Sequence, residues 1–99
     1  MWPWETPPRS VATGILDDET YDWLAVVEGM LLSGGYPIVV SEDTLNSANA
    51  LALETTGVSA DHTGTAGLAG LIQAIAGERD IREETVAVIL TGVKRDMRV

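Results

Sequence analysis

At 99 residues the chain has the length of one domain or a part of one. Fifteen acidic residues against six basic ones leave a net charge of −9. That balance excludes nucleic acid and anionic membrane surfaces, because both need clustered Lys and Arg. With no cysteine, disulfides, thiol catalysis and Cys-ligated metals are excluded as well.

Residues 1–16 form a Pro/Trp-rich arm. Trp2-Pro3-Trp4-Glu5-Thr6-Pro7-Pro8 suits neither a regular helix nor a central strand, since proline removes a donor and restricts its predecessor. Trp2 and Trp4 either pack on this or a further domain or belong to a free stub. The start of the chain lacks the basic residues and apolar core of a signal peptide. No apolar run reaches the roughly 18 residues of a membrane span, so the cytoplasm is the expected location.

A segment covering residues 17–95 follows. Asp17-Asp18-Glu19 puts acids at a helix start, where the macrodipole favours them. Trp23, Val26, Val27, Met30 and Leu31 then recur at helical spacing, predicting an amphipathic helix over about 18–33 that stops at Gly34-Gly35. Tyr36-Pro37-Ile38-Val39-Val40 reads as a short strand, with Pro37 at an edge or at its first residue. Ser41 is the N-cap of a second helix with Glu42 and Asp43 in its first turn; Leu45, Ala48, Leu51 and Ala52 form its inner face, and Gly57 its stop. Val58-Ser59-Ala60 is a candidate strand of a few residues. Asp61 and Thr63 are cap candidates for a third helix running to about Ala76, with Leu68, Leu71, Ile72 and Ile75 as its apolar set. Gly64, Gly67 and Gly70 recur in this helical stretch, where each costs about 1 kcal/mol against alanine. The close approach of another backbone or of a ligand would account for them.

After the charged connection 78–84 comes Thr85-Val86-Ala87-Val88-Ile89-Leu90-Thr91-Gly92. Five apolar residues between threonines read as a strand buried on both faces of a parallel sheet. Thr91-Gly92 at its carboxyl end is either an ordinary turn or a ligand contact. Residues 96–99 are a polar tail. Helices alternating with short strands predict an α/β fold: a partial three-layer parallel sheet of about three strands with three helices. Ten glycines and no Phe make its core light.

Chemistry-bearing patterns are sparse. The single histidine, His62, follows Asp61, but no nucleophile stands at a recognisable spacing, and one pair cannot make a multi-ligand metal site. The acids at 17, 18, 19 and 22 lack EF-hand spacing. Thr63-Gly64-Thr65-Ala66-Gly67 at a helix start could cradle an anion through its N–H groups, but it fits neither the P-loop nor the dinucleotide pattern. No catalytic or metal-ligating residue is assigned.

The order of the pieces carries more than any single motif. Thr6-Pro7-Pro8-Arg9-Ser10-Val11-Ala12-Thr13-Gly14-Ile15, the segment Ile38 to Thr56, Asp61-His62-Thr63-Gly64-Thr65 running into Ala66-Gly67-Leu68-Ala69-Gly70-Leu71, and Val86 to Gly92 together resemble the C-terminal part of threonine synthase. More broadly they resemble the fold-type II pyridoxal-phosphate enzymes, over residues 4 to 95. The resemblance implies the C-terminal portion of a pyridoxal-phosphate-dependent lyase of amino-acid metabolism. It assigns Thr91 to the pyridine nitrogen of the cofactor and places Gly92 beside the ring. The family's Pro-x-Ser helix entry is His62-Thr63-Gly64 here. Its Schiff-base lysine and phosphate loop belong to an N-terminal part that this chain does not match, and the single lysine, Lys94, follows the Thr-Gly pair. The resemblance therefore implies a portion inactive alone, binding no pyridoxal phosphate by itself, whose partner is the missing N-terminal portion or a second copy. The other reading of the residues is a non-catalytic acidic α/β interaction module that self-associates or binds a partner chain.

Overall fold

The computed structural model describes residues 7–16 and 22–93. Three helices dominate them: α1 (Trp23–Ser33), α2 (Glu42–Thr56) and α3 (Ala66–Ala76), preceded by one 3-10 turn at Thr13–Ile15. The expectations for Trp2, Trp4, the acids 17–19 and Lys94 lie outside the described residues.

The helix ends follow local chemistry. The Ser41 hydroxyl accepts the Thr44 N–H at 3.2 Å and caps α2, with Glu42 and Asp43 in the first turn. Gly34 and Gly57 take left-handed φ values of 76° and 72° and close α1 and α2. At the end of α3 the left-handed residue is Glu78 (φ 70°), not Gly77. The Glu78 and Arg79 N–H groups return to the Ile75 and Ala74 carbonyls, as in a Schellman ending.

The α/β expectation is overturned. The described residues contain no strand and no sheet. A run of β-branched residues becomes a strand only when its backbone groups meet a neighbouring ladder, and no such ladder forms among the described residues; a few of the groups at these positions bond elsewhere. The Val58 N–H goes to the Thr56 hydroxyl, the Ala60 carbonyl to the Asn49 side chain, and the Thr91 N–H to the Gly64 carbonyl. Nor is the last run buried on both faces. Val88 and Leu90 are half-buried, while Ile89 is 76% exposed. The stretch expected as a strand at 36–40 is largely open, with Val39 92% exposed.

α2 and α3 pack on each other, and α1 packs on neither. The core is Ala12, Leu45, Ala48 and Ala69, flanked by Val40, Ala66, Leu68 and Ile72. The largest fully buried side chain is Thr65. Such a core is thin because alanine removes little apolar area from water. On α1 the apolar stripe exists but no described element covers it: Trp23, Val26, Val27 and Leu31 are exposed and only Met30 is half-buried.

Candidate functional site

Among the described residues, the turn joining α2 to α3 gathers most of the long-range hydrogen bonds. Asn49 sits on the inner face of α2, one turn after Leu45. Its amide donates to the Ala60 carbonyl at 2.9 Å and to the Thr65 hydroxyl at 3.3 Å. The Thr65 hydroxyl donates to the Asp61 carbonyl at 3.2 Å. These bonds satisfy groups that are buried together, where an unmade hydrogen bond would be costly. Asp61 Oδ1 accepts the Gly64 N–H at 2.7 Å and closes the turn that leads into α3. Of the two cap candidates, Asp61 thus performs the capping, but of this turn, with α3 itself beginning at Ala66.

Thr91 and Gly92 meet this turn. The Thr91 N–H donates to the Gly64 carbonyl at 3.1 Å. A Cβ on Gly64 would fall on the Thr91 carbonyl, and one on Gly92 would fall on the Asp61 carboxylate. Gly92 also has φ +68°, which disfavours any other residue. The close backbone approach expected for the three glycines is therefore real at Gly64. At Gly67 a Cβ would make only ordinary contact with the Ile89 carbonyl, and at Gly70 it would meet nothing within 4 Å. Thr91 is exposed, and its hydroxyl has no partner among the described residues.

A strap formed by residues 10–15 grips the other side of the turn. The Gly14 N–H donates to the Thr63 hydroxyl at 2.8 Å. A Cβ on Gly14 would stand 2.8 Å from Thr63 Cγ2. Ala12, within the strap, is fully buried. Glu42 Oε2 accepts the Val11 N–H at 3.0 Å. The Ser10 side chain, that N–H and the nearby His62 together hold the Glu42 carboxyl below its usual range. No arrangement of His, Asp and Glu able to hold a metal occurs among the described residues.

Two grooves flank the site without including it. One of 240 Å³ is apolar and runs between α2 and α3 along Leu51, Leu68, Val88 and Leu90. The other, of 560 Å³, is lined by Ser33 at the end of α1 and by Tyr36, Leu71 and Arg79. Arg79 bonds the Tyr36 hydroxyl at 3.4 Å and pairs with Glu84 at 3.1 Å, contacts that raise its affinity for its proton.

Asn49, Gly14 and Glu42 were not singled out for these roles in the sequence. Asn49 left one trace there: a polar side chain on a face otherwise made of Leu45, Ala48 and Ala52. Gly14 and Glu42 left none, because their partners lie 49 and 31 residues away.

The residues present can be matched to a pyridoxal group only in part. An exposed neutral hydroxyl at Thr91 has the donor chemistry for a pyridine nitrogen. The missing side chain of Gly92, in contrast, is accounted for by Asp61 and by its φ. No helix among the described residues is long and apolar enough to cross a membrane.

No protein-family profile and no solved structure matches the chain. It is 33% identical over 85 residues to a threonine synthase of Bacillus sp. (strain ULM1), an alignment covering 86% of this chain and 24% of that enzyme. The chain spans about a quarter of the length of this relative, so the likeness is distant and partial.

Proposed function

We propose that the chain is the C-terminal portion of a threonine synthase-like, pyridoxal-phosphate-dependent lyase, inactive by itself. The observation that carries this reading is the 85-residue alignment with threonine synthase, which takes in most of this chain. Two features of the molecule support it. Thr91 holds an exposed hydroxyl on a backbone tied to Gly64. The apolar side chains of α1 and Ile89 stand open, which suits a surface that buries itself against the remaining three-quarters of such an enzyme.

When bound, pyridoxal phosphate supplies an electron sink for bond cleavage next to an amino group. The task of this chain is to present Thr91 to the ring nitrogen. A neutral hydroxyl donates a hydrogen bond there without transferring its proton, which moderates electron withdrawal compared with a carboxylate-paired nitrogen. The α1 face and the 86–90 run then exclude water by packing on the rest of the enzyme.

The test combines the chain with a polypeptide supplying the rest of a threonine synthase. The chain alone is expected to give no visible absorbance from lysine-bound cofactor and no threonine. The combination gives both. Thr91→Ala in the combination shifts the cofactor spectrum and lowers turnover about tenfold or more, while Thr91→Ser stays close to the parent. A stoichiometric band from the chain alone, abolished by Lys94→Ala, would overturn the reading, as would a Thr91→Ala spectrum identical to the parent.

A further inference from the structure

We infer that Asp61 is the positioning residue of Thr91, acting through a turn that is clamped from both sides. This rests on the proposed role of Thr91, but its geometry belongs to the chain alone. Among the described residues, the Thr91 N–H makes the one backbone hydrogen bond that ties residues 85–93 to the rest of the chain, and its acceptor is the Gly64 carbonyl. The orientation of that carbonyl is set by the Gly64 peptide, whose N–H is held by Asp61 Oδ1 at 2.7 Å. The same carboxylate packs against Gly92, where it leaves no room for a side chain. One side chain therefore sets both the height of Thr91, through Gly64, and the direction in which the chain leaves it, through Gly92.

The opposite side of the turn is held independently. The Thr63 hydroxyl accepts the Gly14 N–H, and the strap carrying Gly14 is pinned by buried Ala12 and by Glu42. A turn gripped by 10–15 on one side and by 91–92 on the other has little freedom to rotate. Release of the strap is then felt at Thr91 through Thr63 and Gly64, residues adjacent in sequence, with no need for a longer path.

Amide hydrogen exchange of the purified chain reads this directly. Asp61→Ala is expected to speed exchange at Thr91 by about two- to tenfold, the worth of one hydrogen bond, while amides inside α2 keep the parent rate. Asp61→Asn retains an acceptor for the Gly64 N–H and restores most of the protection. Thr63→Ala gives a smaller effect of the same kind, and Thr63→Ser rescues it. If Asp61→Ala leaves Thr91 exchange unchanged, or speeds every amide of α2 and α3 equally, the positioning role is wrong. No cofactor enters this measurement. Should the exchange pattern hold while the Thr91→Ala enzyme shows an unaltered cofactor spectrum, the turn positions Thr91 but Thr91 does not serve pyridoxal phosphate.

Discussion

α1 and α2 make an instructive pair. α1 reads Trp-Leu-Ala-Val-Val-Glu-Gly-Met-Leu-Leu-Ser, a strongly apolar sequence, and it buries no residue. α2 carries two glutamates, an aspartate, two asparagines, a serine and three threonines, yet buries Leu45, Ala48, Asn49 and Ala52. Burial is a property of a surface and its partner together, and α2 has α3 against it while α1 has no helix. The polar helix is the structural centre because its short inner side chains let α3 approach and because Asn49 bonds the following turn. The apolar helix, by contrast, has no other helix against it among the described residues.

Substitutions can break this contrast at several depths. The largest effect is expected at Asn49: Asn49→Ala removes the donor to the Ala60 carbonyl and the Thr65 hydroxyl, at a cost of about 1–3 kcal/mol in urea unfolding. A change below 0.5 kcal/mol would mean that the α2–α3 turn is not what holds the fold. Next comes a gain. Gly70 lies in α3 with open space where a Cβ would stand, so Gly70→Ala raises stability by about 1 kcal/mol through helix propensity. A loss instead would show that something covers this face.

Acidification tests the strap. The folded Glu42 carboxyl titrates below its usual value of 4.5, chiefly through Ser10 and the Val11 N–H. A depressed carboxyl contributes stability that is fully present above its unfolded value and is lost as pH falls through the folded one. NMR signals of Val11 and Ala12 are therefore expected to shift below pH 4.5, with no such step in Glu42→Gln. The smallest effect on stability belongs to α1. Leu32 is 91% exposed, and Leu32→Gln changes the unfolding free energy by less than about 0.5 kcal/mol. If the proposed reading holds, sedimentation of the chain mixed with the rest of a threonine synthase shows weaker association for Leu32→Gln than for the parent. A large stability loss would place α1 inside the fold and erase the contrast.

Local chemistry alone was enough for much of the helical framework. The Ser41 cap, the acids behind it, the glycine stops at 34 and 57, and the spacing of Leu45, Ala48 and Ala52 are all short-range signals, although Leu51, expected on the same inner face, is exposed and Asn49 is buried there instead. Such signals act within one or two turns and need no partner. The Thr91-Gly92 pair could likewise be picked out as a place where the chain turns. The close approach expected along a glycine-bearing helix occurs only at Gly64, which lies in the turn before α3, and not at Gly67 or Gly70 within it.

Only the tertiary structure decided whether apolar runs became strands. Val86 to Leu90 and Ile38 to Val40 have the composition of buried strands, but a strand exists only with a neighbour to receive its N–H and C=O groups, and no sequence window contains that neighbour. The same limit applies to the clamp on the turn. Gly14 meets Thr63 and Thr91 meets Gly64 across 49 and 27 positions, and contacts over such distances are set by how the whole chain closes, not by the residues beside them.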